Sequence, residues 1–512
     1  MQYRNHEKIT LTIPAGLSFI IALILLYKYT FPISWDVYYH IHMADLYMRN
    51  GLVFWDFETV APYGRLIMYP PLFHLVLAGL SKVTGLGLVS LVRLLQPVFS
   101  FFLIFSITWS SYKLFDFKTG MCTGVLGMLS FITFNRSVIC TPATIAIGLS
   151  LLCCVYFFNG FKDNNIRSII FSAILLGIIF NLHMATSIIT VFVLGLYGLV
   201  QLLRRNLNIN YLVIFILFVA SVGLPWWIYV YLKYTLVFNS KAGNLLSLPN
   251  FFFKYYGIIP SVLTIMGYVY LIKNRSDKSL FLILWTVSLM FISQTTYLGV
   301  QTVSIRILEV ASYPMILVAG LGFTYLCDNI KSTTNRRVLF ILLILVSCLS
   351  SMVYVDSYTP EVMCDDDYDG LLIPETIHTI IDPVGTILKP SVISLRFGNS
   401  QLAHDRYDVM EWFMAHSNKS LVVSEDSIMD SIIVSTSRSP VVYGGFTESI
   451  PLYVVDPVHI VQNHSTSSEL SDLNVGYILL RQNTPIPIYA QLEYNNTNYK
   501  ICSIKSTIKI NK

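Results

Sequence analysis

The feature that most constrains this chain is a succession of long apolar runs, separated by short polar connections, that fills residues 9 to 355. An α-helix needs ~20 apolar residues to cross the hydrocarbon core of a bilayer, and there each backbone polar group must be satisfied within the spanning structure. Spans are read near residues 9 to 27, 89 to 110, 119 to 135, 139 to 160, 168 to 183, 184 to 203, 211 to 236, 251 to 272, 279 to 296, 305 to 327 and 338 to 355. These crossings, about eleven, define a polytopic α-helical membrane protein. The chain is 54% hydrophobic and only 12% charged, against about a quarter charged in soluble domains.

Orientation follows from Lys and Arg, which accumulate beside spans on the cytoplasmic side. With the amino terminus inside, the inner connections hold about fourteen basic residues in roughly 47 positions and the outer ones about six in roughly 90. Residues 1 to 355 then form a transmembrane domain and residues 356 to 512 an external soluble α/β domain. The first run is followed at once by Tyr27, Lys28 and Tyr29, without a small-residue cleavage site, and reads as an uncleaved span. The net charge of +5 concentrates in the inner loops, which makes it a topology signal and excludes a nucleic-acid footprint. Six of the eight cysteines fall in or beside spans, where a thiol packs as a small hydrophobe. Cys364 and Cys502 lie in the external part, and a disulfide between them is left open.

The connection between the first two spans, residues 28 to 88, is far longer than a helical bundle needs, and long loops tend to carry function. Aromatic, acidic and histidine residues crowd it: Ser34-Trp35-Asp36-Val37-Tyr38-Tyr39-His40, Asp45, Trp55-Asp56-Phe57-Glu58, Tyr63-Gly64-Arg65 and Tyr69-Pro70-Pro71-Leu72-Phe73-His74. Residues 72 to 83 keep helical apolar spacing but are too short to span, which predicts a helix along the interface. After Tyr354 the chain turns polar. Strand-like runs at Leu421 to Ser424, Ile432 to Ser435, Pro440 to Tyr443 and Val475 to Leu480, with a helix-like stretch from Arg406 to Ala415, predict a small mixed domain. The aspartates around 365 to 369 lack the spacing of an EF-hand and read as a solvated linker.

On a helix over residues 36 to 46, Asp36, Tyr39, His40 and Met43 share one face. Such an acid and imidazole can hold a divalent cation, Mg2+ or Mn2+, or Asp36 can act as general base on an acceptor hydroxyl while His40 orients it. The bland alternative is an interfacial helix with Asp36 paired locally. Ionisable groups near a bilayer cost several kcal/mol and persist chiefly for function. Asp36, His74, Arg136, His183 and Arg306 all fall on the outer side, and Glu309 follows Arg306 by one turn. Arg306 suits a phosphate, since a guanidinium is always charged and binds phosphate oxygens through two parallel hydrogen bonds.

In this order and topology the chain resembles the C-type membrane glycosyltransferases, which use polyprenyl-phosphate or polyprenyl-diphosphate sugars, and among them the catalytic subunits of archaeal oligosaccharyltransferases. The residues that carry the resemblance are Asp36-Val37-Tyr38-Tyr39-His40, Trp55-Asp56, Gly64-Arg65 with Tyr69-Pro70-Pro71-Leu72, Asn135-Arg136-Ser137, Asn181 to Thr186, and Arg306-Ile307-Leu308 with Tyr313-Pro314. The resemblance implies that Asp36 stands at the catalytic or metal-binding aspartate and Arg306 near the carrier phosphate. His40, Tyr39, Asp56, His74, Arg136, His183 and Glu309 are the further candidates for binding substrate, and the acceptor is a glycan, lipid or protein. The chain departs from the oligosaccharyltransferases at Cys140-Thr141-Pro142-Ala143-Thr144, where their second carboxylate is missing, and lacks their Trp-Trp-Asp-Tyr-Gly motif. Transfer to protein asparagine is thereby placed in doubt. The rival functions are a transporter or flippase, for which no internal repeat is found, and a non-catalytic homologue. Asn135, Asn418, Asn463 and Asn495 begin external sequons.

Overall fold

The computed structural model of the protein describes residues 7–29, 31–32, 34–234, 245–300, 302–357, 400–444 and 473–504. The first apolar run forms α1 (Ile13–Lys28). The loop that follows contains α2 (Trp35–Asn50), a two-residue ribbon of β1 (Trp55–Asp56) and β2 (Arg65–Leu66), and α3 (Leu72–Thr84). Both helices were expected, and each ends on a glycine with positive φ, Gly51 and Gly85, the conformation that stops a helix most cheaply.

The bundle continues with α4 (Leu88–Leu114), α5 (Phe117–Leu129), α6 (Phe131–Ser137), α7 (Pro142–Lys162), α8 (Ile166–Leu182), α9 (Met184–Leu203) and α10 (Ile209–Tyr234). It is completed by α11 (Ile258–Asn274), α12 (Asp277–Ser293), α13 (Ser304–Asp328) and α14 (Thr333–Ser357). Side chains set several starts: Asp116 accepts from the Thr119 amide, Asn165 from Arg167 and Ser168, and Ser276 from Ser279, each satisfying amides that a helix start leaves unpaired.

Seven of these helices are long and apolar enough to cross a membrane, or eight with α5 and α6 as one span bent by 84°. The chain is therefore a multi-pass membrane protein. The helices α8, α11 and α12 have 17 residues each, about 25 Å of rise, slightly less than the hydrocarbon core. The run expected to span from 251 to 272 is interrupted. A π-helical turn, Phe251–Tyr256, stops at Gly257, whose φ of +100° only glycine adopts easily, and α11 starts anew.

Small residues set the tightest packing. A methyl added at Gly267 of α11 would overlap the Val318 carbonyl of α13, and one at Gly322 of α13 would overlap the Leu263 carbonyl of α11. Two backbones meet at this depth because nothing lies between them, the usual basis of helix association in lipid.

The carboxy-terminal domain is a small β-sheet domain flanked by helices: α15 (Ser400–His416), β3 (Leu421–Ser424), α16 (Ser427–Ser437), β4 (Val475–Arg481), β5 (Ala490–Asn495) and β6 (Tyr499–Ile504). The sheet order is β3-β4-β6-β5, with β3 parallel to β4 and the other pairs antiparallel. Two sequence expectations fail here. Ile432 to Ser435 is helical, since Asp426 caps the amides of Ile428 and Met429 and the helix so begun is buried on all sides from Ile428 to Ser435. Pro440 to Tyr443 makes only a bridge, Val441 to Val422. Cys502 is a buried free thiol in β6, while Cys364 and the aspartates near it lie outside the described residues.

This domain rests on the first loop. The Val441 amide donates to the Glu58 carbonyl (2.9 Å), the Ala61 amide to Val441 (2.9 Å) and the Val60 amide to Tyr443 (3.1 Å). Arg438 reaches Asp45 on α2 (2.9 Å), and Tyr407 on α15 stacks on Phe31 at 4.2 Å.

Candidate active site

Four charged residues meet where α2, α6 and α13 converge. The bend at Ser130 turns α6 across the bundle, so that Arg136 is almost wholly buried and donates through Nε (2.6 Å) and Nη2 (3.0 Å) to the two oxygens of Glu309. Arg306, one turn earlier on α13, lies 3.7 Å from the same carboxylate and remains 43% exposed. Its guanidinium makes no hydrogen bond among the described residues, so its planar donor edge is available. Asp36, in the first turn of α2, is half-buried and lies within the electrostatic reach of this group.

The electrostatics tie Asp36 to the cluster. Burial raises its carboxyl above the ordinary carboxylate range, the Arg306 and Arg136 charges oppose that, and Glu309 reinforces it. Two guanidiniums and two carboxylates nearly balance. Glu309 is committed to Arg136, and Arg306 is left to face Asp36 and whatever enters between them.

The face predicted on α2 is present, but its members divide. His40 Nδ1 meets His74 Nε2 of α3 at 2.9 Å, and both rings are buried. The Tyr69 ring lies 5.2 Å from His40, 5.5 Å from His74 and 6.4 Å from His183. Burial, then His74 and His183, push His40 well below the usual imidazole value; burial, then His42, push His74 down to about 3. Both are neutral near pH 7 and offer polarity without charge. His183 caps α9, with Nδ1 2.8 Å from the Thr186 hydroxyl, and stands within reach of the fields of Arg306 and Arg136.

Tyr39 borders the histidines, its ring centroid 5.3 Å from His40 and 6.1 Å from His74, whereas Asp56 is engaged within the loop. Tyr39 is 2% exposed in a cluster with Met43, Leu46, Tyr47 and Ile67, and the Arg65 guanidinium lies 5.2 Å over its ring. Asp56 is fully buried and receives His42 Nε2 (2.9 Å), the Thr59 hydroxyl (2.5 Å) and the Glu58 amide (2.9 Å). Burial would raise its carboxyl, but His42, Arg65 and Thr59 together hold it well below the ordinary range. The sequence does not single out His42 or reveal the pairings of Arg65 and Asp45, because their partners are set by loop geometry. A residue fourteen positions away carries no spacing signal. Asn135 is 1% exposed inside α6, so no glycan fits on that sequon in the folded chain.

The residues present do not suit a divalent cation. Glu309 spends its oxygens on the Arg136 and Arg306 guanidiniums, and the same two charges act on Asp36, so a dication would meet like charge. Among the described residues no three of His, Cys, Asp and Glu stand together as a metal set.

With this geometry in view, the comparison with solved structures is informative. ArnT from Cupriavidus metallidurans, bound to undecaprenyl phosphate, aligns over 98% of both chains with a TM-score of 0.57 and 12% identity. The oligosaccharyltransferase of Archaeoglobus fulgidus aligns over 92% of this chain and 69% of its own, with a TM-score of 0.58 and 12% identity. The mycobacterial arabinofuranosyltransferase AftD aligns over 97% of this chain and 40% of its own, at 0.59 and 12%. The chain shares its fold with these membrane enzymes. At this identity the likeness establishes architecture. No family profile and no curated protein sequence matches the chain.

Proposed function

We propose that this protein transfers a sugar from a polyprenyl-phosphate or polyprenyl-diphosphate donor to an acceptor at the external face of the membrane. The observation that supports it best is that Asp36 lies within the electrostatic reach of Arg306, one carboxylate and one guanidinium whose side chain makes no hydrogen bond among the described residues. The acceptor hydroxyl gives its proton to Asp36 as its oxygen bonds to the anomeric carbon. The bond from that carbon to the phosphate oxygen breaks, and the departing phosphate takes the electron pair. Negative charge grows on the phosphate in the transition state, where Arg306 stabilises it. Arg136 and Glu309 hold Arg306 in register, and His40, His74 and His183 shape the polar wall around the sugar. Tyr39 and Asp56 position the loop that carries Asp36.

Two of the solved structures with this fold are described with undecaprenyl phosphate and with a dolichol-phosphate, which supports a lipid phosphate as donor. A single carboxylate base suits a hydroxyl acceptor on a glycan or lipid better than an amide, which is neither acidic nor nucleophilic. Asp36 is assigned as base in preference to metal ligand on the donor set above. Eleven crossings, an inside amino terminus and external residues 356 to 512 complete the topology, with 1 to 355 as the catalytic membrane domain.

The test is an assay with radiolabelled lipid-linked sugars and the purified protein in lipid nanodiscs and in sealed vesicles. Label moving from lipid to an acceptor supports the proposal. Label crossing the bilayer while still on its lipid identifies a flippase, and neither outcome across a panel of donors identifies a non-catalytic homologue; both overturn it.

A further inference from the structure

The end of the bundle opposite the charged cluster carries a second cleft. Arg306 and Asp328 mark the two ends of α13, a helix of 25 residues and thus about 37 Å long. At the Asp328 end, α5, α13 and α14 enclose a cavity of about 490 Å³. Its floor is apolar, made by Met121, Cys122, Phe323, Phe340 and Ile341.

Its mouth is cationic. Lys118 from α5 and Arg336 and Arg337 from α14 rim it, against one carboxylate, Asp328. Lys118 and Arg337 are exposed and Arg336 is half-buried. The Lys118 and Arg336 charges both reach Cys327 on α13, so cations from two helices converge over a third. Arg336 Nε donates to the Ile330 carbonyl at 2.7 Å, which fixes its side chain. Its two terminal nitrogens make no hydrogen bond among the described residues, and neither Lys118 nor Arg337 forms an ion pair there.

An adjoining cavity of about 780 Å³ shares Phe117, Lys118, Thr324 and Asp328 and adds Glu7, Asp116 and Lys278. Asp116 is engaged with the Thr119 amide and hydroxyl, and Lys278 with the Leu114 carbonyl. The excess positive charge thus belongs to the apolar cleft. The cleft is also open sideways. Only 22% of the span in α14 is buried, and Val338, Ile341, Leu342 and Leu345 are about half exposed, so the floor runs directly into a lipid-facing surface.

We propose that this cleft binds an anionic glycerophospholipid, one acyl chain along Phe323, Phe340 and Ile341 and the phosphate on Lys118, Arg336 and Arg337. Charge complementarity selects the occupant. An uncharged or zwitterionic lipid leaves the rim with its excess positive charge, since Asp328 balances only one of the three cations, whereas basic pockets between membrane helices are a recurrent setting for anionic headgroups. The two halves of the cleft match the two halves of one molecule. A free phosphate would leave the apolar floor wet, and a neutral acyl chain would leave the rim unpaired. The site is independent of the transfer reaction at the other end of α13, and links the protein to the leaflet facing away from that reaction.

The test is native mass spectrometry of the full chain released from nanodiscs of phosphatidylglycerol, phosphatidylcholine or their mixture. Retention of phosphatidylglycerol at least tenfold over phosphatidylcholine is expected, with inorganic phosphate alone not retained. The Lys118→Gln/Arg336→Gln/Arg337→Gln variant should lose the preference, and Ile341→Trp, which fills the floor and keeps the charges, should lose retention of both lipids. Equal retention of the two lipids by the unaltered protein overturns the proposal, as does undiminished preference in the triple variant. Unfolding temperatures within a few degrees of the parent keep these readings specific; a variant that fails this control is replaced by Phe340→Trp, for which loss of retention supports the site and full retention overturns it.

Discussion

Asp36 must be ionised to accept a proton, and its surroundings set the pH at which that happens. Burial lifts its carboxyl above the usual value while Arg306 and Arg136 pull it down. Transfer therefore switches on as pH rises through a value above that of an ordinary aspartate, roughly 3.9. Arg306→Gln removes one lowering charge, so the acidic limb of kcat/KM should move to higher pH, besides the loss of rate. Asp36→Asn should cut transfer by about 10²- to 10⁴-fold, the range of a general base, at an unchanged unfolding temperature; pH–rate profiles of the three proteins check both points, and full activity of Asp36→Asn would remove the base. Glu309 is different in kind. Its loss leaves Arg136 buried and unpaired, and Glu309→Gln should lower stability by about 3–5 kcal/mol. Arg306→Gln, at a side chain 43% exposed, should cost far less, a contrast that thermal unfolding in one detergent reads directly.

Among the elements, the bent pair of α5 and α6 does most to make the site. A straight span would carry Arg136 past Glu309, whereas the 84° bend lays α6 against α4 and α13. The carboxy-terminal domain contributes a second element-scale device. In it Asp426 accepts from Arg406 Nη2 (2.7 Å) and Nε (3.0 Å) and from the Tyr499 hydroxyl, with Arg481 at 3.5 Å. Burial alone would raise the Asp426 carboxyl, but Arg406, Arg481 and Tyr499 outweigh it and hold it below the ordinary value. A depressed carboxyl stabilises the fold above its unfolded value and loses that contribution as pH falls through its folded one. The unfolding temperature of this domain should therefore drop as pH is lowered below about 4. Asp426→Asn should flatten that dependence and destabilise the domain by about 3–5 kcal/mol at neutral pH, as differential scanning across pH would show. Since α16 and the residues up to Tyr443 hold the first loop, the same loss should loosen the loop that carries Asp36.

For the whole molecule, the proposed orientation predicts which surfaces a membrane-impermeant reagent reaches. Cysteines placed at Ser417 and Asn495 in a background without exposed thiols should react in intact cells, and those at Asn206 and Ser332 only after permeabilisation. The reverse pattern would invert the topology and put the Asp36 cluster on the wrong side for an external acceptor. The three 17-residue helices fit within this scheme as short spans that present apolar side chains such as Phe171, Ile265 and Phe291 outward, since a bilayer thins locally around a span slightly shorter than its core.

Apolar period and basic-residue bias were legible from the residues alone, because the bilayer as solvent acts on each segment by itself. They gave the polytopic class and the long loop after the first span with α2 and α3 inside it, and they put Asp36, Arg136, His183 and Arg306 at one level of the bundle. The break at Gly257 and the helix at Ile432 to Ser435 were missed, since one depends on a single φ and the other on a cap whose effect overrides β-branched propensity. The pairings within the site were decided only by the tertiary structure. Which base or cation a carboxylate meets depends on three-dimensional distance: Asp56 took His42, Glu309 took Arg136, and Asp36 was left to Arg306. A linear pattern records which charges lie at one depth; only packing assigns them to one another.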